Sequence, residues 1–345
     1  MKILKLIGIL VLAVPAQSCE TKESGVTFRV SELGMCEQID TVFLGVPLNM
    51  GIFNNDLFIG DFREPMIVHY NLKNGNKERF LMEGRGPKET MPPIILYANP
   101  FGDNGLYRFS KRVFDMGRYS IDSLSSYVPC LTNLPYEYQN IIPFSENYFL
   151  AVGTFEDGYR YRILNGKGEV TSSFGEYPNF LVGEALIPFD ARSMFHQVDY
   201  AISFWNRKIV AASSHIMDII DYSLTTVSNE SIKRILLAPY DYEYTSGMFL
   251  SASPKDGTSV GAVSVACNNN YIFLLYDPRI YGQKNQGLKD EIWVFEWNGK
   301  PVKRLIFEEN LQMITADSSD ETSFWGLSYF EEEDDEYYQI VMIKF

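Results

Sequence analysis

Three histidines, one glycine-rich loop and one acidic run are the parts of this 345-residue chain whose residue types could do chemistry. Ser213-Ser214-His215, with Asp218 close behind, puts a nucleophile, a base and a carboxylate into one short stretch. Triad members come from separated segments so that their side chains converge, and no Gly-x-Ser-x-Gly elbow occurs. His215 is therefore expected to be a lone loop histidine. Gly84–Glu89 reads Gly-Arg-Gly-Pro-Lys-Glu, which suggests a phosphate cradle. A P-loop, however, needs Gly-Lys-Ser/Thr opening a helix, and Met91-Pro92-Pro93 follows here instead. A shaped connection is expected, with Arg85 and Glu89 bracing the loop or touching a ligand. Glu331 to Glu336 is an unbroken acidic run without the alternating ligands and glycine of a calcium loop; it predicts a solvated hairpin tip. No Cys-x-x-Cys or His-Glu-x-x-His spacing is present, so no metal, cofactor or catalytic set is expected. Glycoside hydrolysis needs two carboxylates about 5–9 Å apart, and nothing singles out such a pair among 44 acidic residues.

The first nineteen residues decide where any such chemistry takes place. Lys2 and Lys5 give a basic start, Ile3 to Val14 an apolar run, and Pro15-Ala16-Gln17-Ser18 leads into Cys19. That order predicts a secretory signal peptide. The apolar run is shorter than the ~20 residues that span a bilayer. Ala16-Gln17-Ser18-Cys19 resembles the bacterial lipobox, although Ala16 stands where Leu is usual and Gln17 where a small residue is usual. The expectation is a signal peptide over 1–18, lipid on Cys19, a tether over 19–25 and one domain over 26–345. Such a protein is exported and lipid-anchored to the bacterial cell envelope, at the outer membrane, on its periplasmic or surface face. Each buried methylene of the acyl chains contributes about 0.8 kcal/mol to anchoring.

Removal of Lys2 and Lys5 with the leader moves the formal charge from −14 to −16. Nucleic-acid binding needs a basic footprint and anionic-lipid binding a polybasic patch; neither is visible. Cys36, Cys130 and Cys267 remain after Cys19, an odd number at long separations. Cys130 and Cys267 sit among apolar residues, which favours buried free thiols over a disulfide framework. Trp205, Trp293, Trp297 and Trp325 fall in predicted strands and are expected to pack between elements.

The elements that must position these residues are β throughout. Short runs rich in Val, Ile, Tyr and Phe alternate with Asn, Asp, Gly and Pro. Asn74-Gly75, Asn165-Gly166 and Asn298-Gly299 each mark a hairpin. Their separations, 91 and 133 residues, approximate two and three times a period of roughly 45, the length of a propeller blade. Six units follow: Met50 to Met82, Ile94 to Leu131, Asn140 to Phe174, Val198 to Leu237, Ser259 to Phe307, and a three-stranded Gln312 to Lys344. Val26–Val30 is left over at the other end and is expected to complete the last unit beside Tyr337–Lys344. The fold class is thus all-β, a six-bladed β-propeller whose ring is closed by an N-terminal strand completing the last blade.

The lipobox, the first blade Leu57-Phe58-Ile59-Gly60-Asp61 and the loop Gly84-Arg85-Gly86-Pro87-Lys88-Glu89 resemble the TolB-like six-bladed β-propeller lipoproteins. That loop commonly reads Gly-x-Gly-Pro-Gly-Glu, with Lys88 here replacing the last Gly. The resemblance implies a fold and an exported location and no established reaction.

In a propeller the second-to-third-strand turns and the blade-to-blade connections share one face. This places Arg63, Glu64, Arg85, Lys88, Glu89, Lys111, Arg112, Asp157, His215 and the loop Asp277–Asp290, with Arg279 and Tyr281, on one rim. Basic groups collected on an acidic protein favour an anionic or polar ligand. The expected contacts are Arg63, Arg85, Glu89, His215, Arg279 and Tyr281, with His215 expected to weaken binding above about pH 6.5. The expected function is a non-enzymatic, membrane-anchored binding or scaffold propeller, whose partners are membrane lipid through Cys19 and one small molecule or protein, not nucleic acid. The alternative is an exported lyase or glycoside hydrolase using rim carboxylates or a metal.

Overall fold

Runs of five to seven residues separated by turn formers are too short for helices, and each of the first five predicted units folds as an antiparallel meander of four strands. The structure is a computed structural model, and it describes residues 25–84, 89–155, 157–223, 228–245, 251–284, 289–318, 320–332 and 335–344. The first blade is Pro47–Phe53, Asp56–Asp61, Ile67–Asn71 and Lys77–Phe80. The second is Ile94–Ala98, Gly105–Ser110, Asp115–Ser120 and Ser123–Leu131. Tyr138–Ser145, Tyr148–Gly153, Tyr159–Asn165 and Val170–Glu176 form the third. The fourth is Asp199–Ser203, Lys208–Ala212, Ile216–Asp221 and Ile232–Leu236. Ser259–Cys267, Tyr271–Ile280, Glu291–Glu296 and Pro301–Ile306 make the fifth. Leu311–Thr315, Ser323–Glu332 and Asp335–Lys344 belong to the sixth.

Adjacent blades pack face to face, so second strands such as Leu57-Phe58-Ile59 are buried on both sides. This is why they read as continuous apolar runs rather than alternating ones. Full burial of each such side chain contributes about 1.5–3 kcal/mol.

The ring is closed from the N-terminus, but by a different strand from the one expected. Cys36–Val42 pairs antiparallel with Asp335–Lys344, Cys36 opposite Ile343 and Val42 opposite Tyr338. Val26–Val30 instead crosses the fourth and fifth blades. Val26 N–H donates to Leu237 O at 2.9 Å, and Phe28 sets its ring edge-on against Trp293 and Phe295, 5.1 and 5.6 Å between centroids. Ser31–Leu33 then runs parallel to Pro301–Ile306 as a fifth strand of the fifth blade. Cys36–Val42 is mixed polar and apolar, with its inward face half-buried, and it lacked the clean pattern that made Val26–Val30 look like a strand.

The three Asn-Gly pairs do mark hairpins, between the third and fourth strands of blades one, three and five. The positive φ falls on a glycine alone: Gly75 (73°), Gly168 (80°) and Gly299 (79°). The 133-residue separation spans two blades and not three. Two insertions, residues 177–198 and 237–258, lengthen that part of the chain. Trp205 also departs from expectation. It stands in the turn after Asp199–Ser203, 70% exposed, whereas Trp293 and Trp297 are buried. Cys36, Cys130 and Cys267 are free, with Cys267 buried and the other two half-buried. Burial pushes Cys36 up to about 12 and Cys130 up to about 11. Among the described residues, no helix is long and apolar enough to cross a membrane.

Candidate functional site at the channel mouth

The innermost strands of the six blades surround a central channel of about 550 Å³. Polar residues interrupt these otherwise apolar strands, and most of them join one blade to the next. Asn49 Nδ2 donates to Leu96 O (2.8 Å), and Tyr97 Oη donates to Asn140 Oδ1 (2.8 Å). Val265 N–H donates to Asp199 Oδ2 (3.0 Å), and Ile314 N–H to Ser264 Oγ (3.2 Å). Burial pushes the Asp199 carboxyl up, against the pull of the Val265 and Tyr200 N–H groups, Ser264 and Lys111.

Lys111 is the exception among these channel groups. It follows Ser110 in the turn between the second and third strands of the second blade, and its side chain lines the channel. Among the described residues its ammonium has no hydrogen-bond or ion-pair partner. The side chain is open to water through the mouth, yet protein atoms crowd it on other sides. That desolvation lowers its pKa, with the Asp199 charge acting in the opposite direction.

Several other cations on this face are met by carboxylates, whereas Arg63 stands exposed in its turn with no such partner among the described residues. Asp61 is fully buried and accepts from Gly45, Val46 and Arg63 N–H at 3.0–3.1 Å and from both Arg79 guanidinium nitrogens at 3.2 Å. Arg162 pairs with Glu137 (2.8 Å) and Asp157 (3.1 Å). Arg112 faces Glu83 at 3.8 Å.

A cap covers the rim over blades three to five. Insertion 177–198, carrying the turn Glu184–Leu186 and the helix Phe189–Phe195, meets insertion 237–258, carrying the hairpin Tyr242–Thr245 and Ser251–Pro254. The buried Glu184 carboxylate fastens them. It accepts from Phe180 and Leu181 N–H (2.9 and 3.1 Å), His196 Nε2 (3.0 Å), Tyr240 Oη (2.9 Å) and Tyr242 Oη (3.2 Å). Burial alone would raise Glu184; these donors outweigh it and hold the carboxyl below its ordinary value. Burial pushes His196 down to about 4 despite the pull of Glu184, so a neutral imidazole donates through Nε2–H.

Of the expected contacts among the described residues, none lines the channel wall. Arg63 is exposed in the first-blade turn. Glu89 folds its carboxylate over Gly84, where a Cβ would collide with it. Arg279 closes on Asp277, Nε to Oδ1 2.8 Å, and Tyr281 presents a partly exposed ring beyond it. Arg85 and Cys19 lie outside the described residues. His215 is 2% exposed beneath the cap, stacked on Phe195 and Tyr240, with Nε2 on Ser259 O at 2.8 Å. Burial pushes it down to about 4, so it does not titrate near pH 6.5. Asp218 points away from it, to Arg160, Arg234 and Tyr161, and no triad forms. The channel groups Asn49, Asn140 and Asp199 were missed; their one signal is a short polar residue interrupting an apolar innermost strand. Among the described residues no three His, Cys, Asp or Glu side chains come together as a metal site.

Comparison with known proteins places this geometry. No curated protein matches the chain. Among solved structures it is similar to a member of the DUF4221 family from Bacteroides vulgatus (10% identity, 91% of this chain and 98% of that one, TM-score 0.50). It is also similar to a Bacteroides fragilis protein titled "Putative exported protein" (10%, 91% and 98%, 0.51). A third is regucalcin, a calcium-binding protein from Agrobacterium tumefaciens (10%, 91% and 96%, 0.50). At such identities the likeness shows the fold alone. A family model described as TolB-like 6-blade propeller-like matches residues 27–319, and the chain belongs to that family.

Proposed function

We propose that this protein is an exported binding propeller, held on the cell envelope by lipid on Cys19, that takes a small anionic ligand at the mouth of its central channel. The observation that carries the binding site is the Lys111 ammonium in the lining of the channel, which has no hydrogen-bond or ion-pair partner among the described residues. At physiological salt the Debye length is about 8 Å, so an incoming anion inside the mouth responds to Lys111 more than to the net charge of −14. An alternative reading, a lyase or glycoside hydrolase working through rim carboxylates, has less support. Asp61, Glu184 and Asp277 are each fastened by backbone or side-chain donors. Export is supported by the leader sequence and by the description of one structural neighbour.

Two measurements test the two halves. Calorimetric titration with inorganic phosphate, citrate and glucuronate should find at least one that binds, and Lys111→Gln should weaken it tenfold or more. Equal affinity in the variant would remove the site from the channel mouth. Palmitate labelling should mark the native protein and not Cys19→Ala; continued incorporation in the variant would sink the anchor.

A further inference from the structure

We infer that the face carrying the channel mouth rests on the lipid bilayer through apolar side chains held out from its rim; this rests on the lipid anchor proposed above. The described chain begins on that face. Gly25 packs against the backbone of Leu237 and Ala238, and Val26 N–H donates to Leu237 O. Leu237 leaves the fourth blade on the same side as His215, whose carbonyl accepts from Leu237 N–H at 2.8 Å. The residues from Cys19 to Gly25 span at most about 20 Å when fully extended. The innermost strands run from five to nine residues, which makes the blades roughly 17–30 Å tall at ~3.3 Å per residue. A tether that short reaches a membrane lying against its own face and has no length to spare for the opposite one.

The same face holds out large apolar side chains that the fold leaves unburied. Val182 is 98% exposed and Leu186 88%, on either side of Glu184. The buried Glu184 carboxylate, with its donors from both insertions, fixes the loop that carries them, so the two are presented on a rigid knob. Tyr136, 84% exposed, stands in the connection between blades two and three. Phe43, Val46 and Phe62 are exposed together around the first blade, where Phe62 N–H donates to Val46 O. These positions come from separate connections around the ring. No polybasic patch is visible, so docking proceeds by insertion of apolar groups between headgroups and not by attraction to anionic lipid. The channel mouth then opens towards the headgroup layer.

The test is hydroxyl-radical footprinting of the full lipidated protein in vesicles of phosphatidylethanolamine and phosphatidylglycerol, against soluble Cys19→Ala. Oxidation of Leu186, Tyr136 and Phe62 should fall severalfold on the vesicles, while Trp205 on the opposite face stays as reactive as in solution. In the double variant Val182→Glu, Leu186→Glu, protection at Tyr136 and Phe62 should be lost although the lipid mass is retained. Protection of Trp205 and Phe204 instead overturns the orientation. Equal oxidation on both faces, in a protein whose mass shows lipid, overturns docking and leaves the anchor intact. Absence of lipid mass on Cys19 overturns the anchor and this inference with it.

Discussion

Asp218 shows how much a single side chain in this molecule can carry. Its carboxylate is fully buried and accepts from Arg160 NH1 (2.9 Å), Arg234 Nε (2.7 Å) and Tyr161 Oη (2.8 Å). Burial alone would raise its pKa, but the two guanidinium groups hold it below the ordinary carboxylate range. Taking a charge out of water is compensated here only because two cations and a hydroxyl meet it. Asp218→Asn leaves both guanidinium groups without their counter-charge in the same buried space. The expected loss is about 3–5 kcal/mol by urea unfolding, and a loss below about 1 kcal/mol would mean that water has replaced the carboxylate. At neutral pH this aspartate stabilises the junction of the third and fourth blades.

At the scale of elements, the N-terminal segment performs two tasks with adjacent stretches. Cys36–Val42 supplies the fourth strand of the last blade, and Phe28 with Ser31–Leu33 straps the fifth blade from outside. Closure joins sheet to sheet around the whole ring, whereas the strap adds contacts to a blade already complete. Deletion of residues 20–32 should therefore lower stability by a few kcal/mol while leaving one cooperative transition, since its main apolar loss is the half-buried Phe28. Extending the deletion to residue 42 removes the closing strand and should broaden or split the transition and promote association through the exposed edge of Asp335–Lys344. Calorimetry and light scattering on the two proteins read both effects. A split transition in the shorter deletion and a sharp one in the longer would reverse the assignment.

For the whole molecule, the cap makes stability depend on pH. His196 and His215 are buried neutral and pushed down to about 4, whereas in the unfolded chain each protonates near 6.5. Between those values the unfolded state binds more protons, so stability falls as pH drops from about 6.5 to 4. Each shift corresponds to a loss on the order of 3 kcal/mol across that window. Below it, protonation of Glu184, whose folded pKa is depressed, removes the acceptor that fastens the two insertions. His215→Phe keeps a ring between Phe195 and Tyr240 and removes one titrating group. Its melting temperature should be lower at pH 7.5, through the lost bond to Ser259 O, and should fall less steeply towards pH 4.5. An unchanged slope would place the pH dependence elsewhere.

What the sequence determined by itself was whatever follows from local pattern. Turn residues between short apolar runs marked the strands of the first five blades and three of the sixth. Leu57-Phe58-Ile59 announced a strand buried on both faces, and the deficit of one strand at the C-terminal end required closure from the N-terminus. The tertiary structure decided which segment met that requirement: Cys36–Val42 has the weaker strand pattern of the two, yet it lies along the free edge of Asp335–Lys344, while Val26–Val30 meets the fourth and fifth blades. It also decided the site. A basic residue on a rim has a sequence signature, but whether it is neutralised depends on carboxylates from distant segments, as Arg79 with Asp61 and Arg162 with Glu137 show. His215 was legible as a loop histidine, and its burial was not: Phe195 and Tyr240 come from insertions on either side in the chain, and only the closed ring and its cap bring them over the imidazole. Burial and pairing are sums over the whole fold, and so is the placement of Lys111 in the channel lining while Arg63 stays out on its turn.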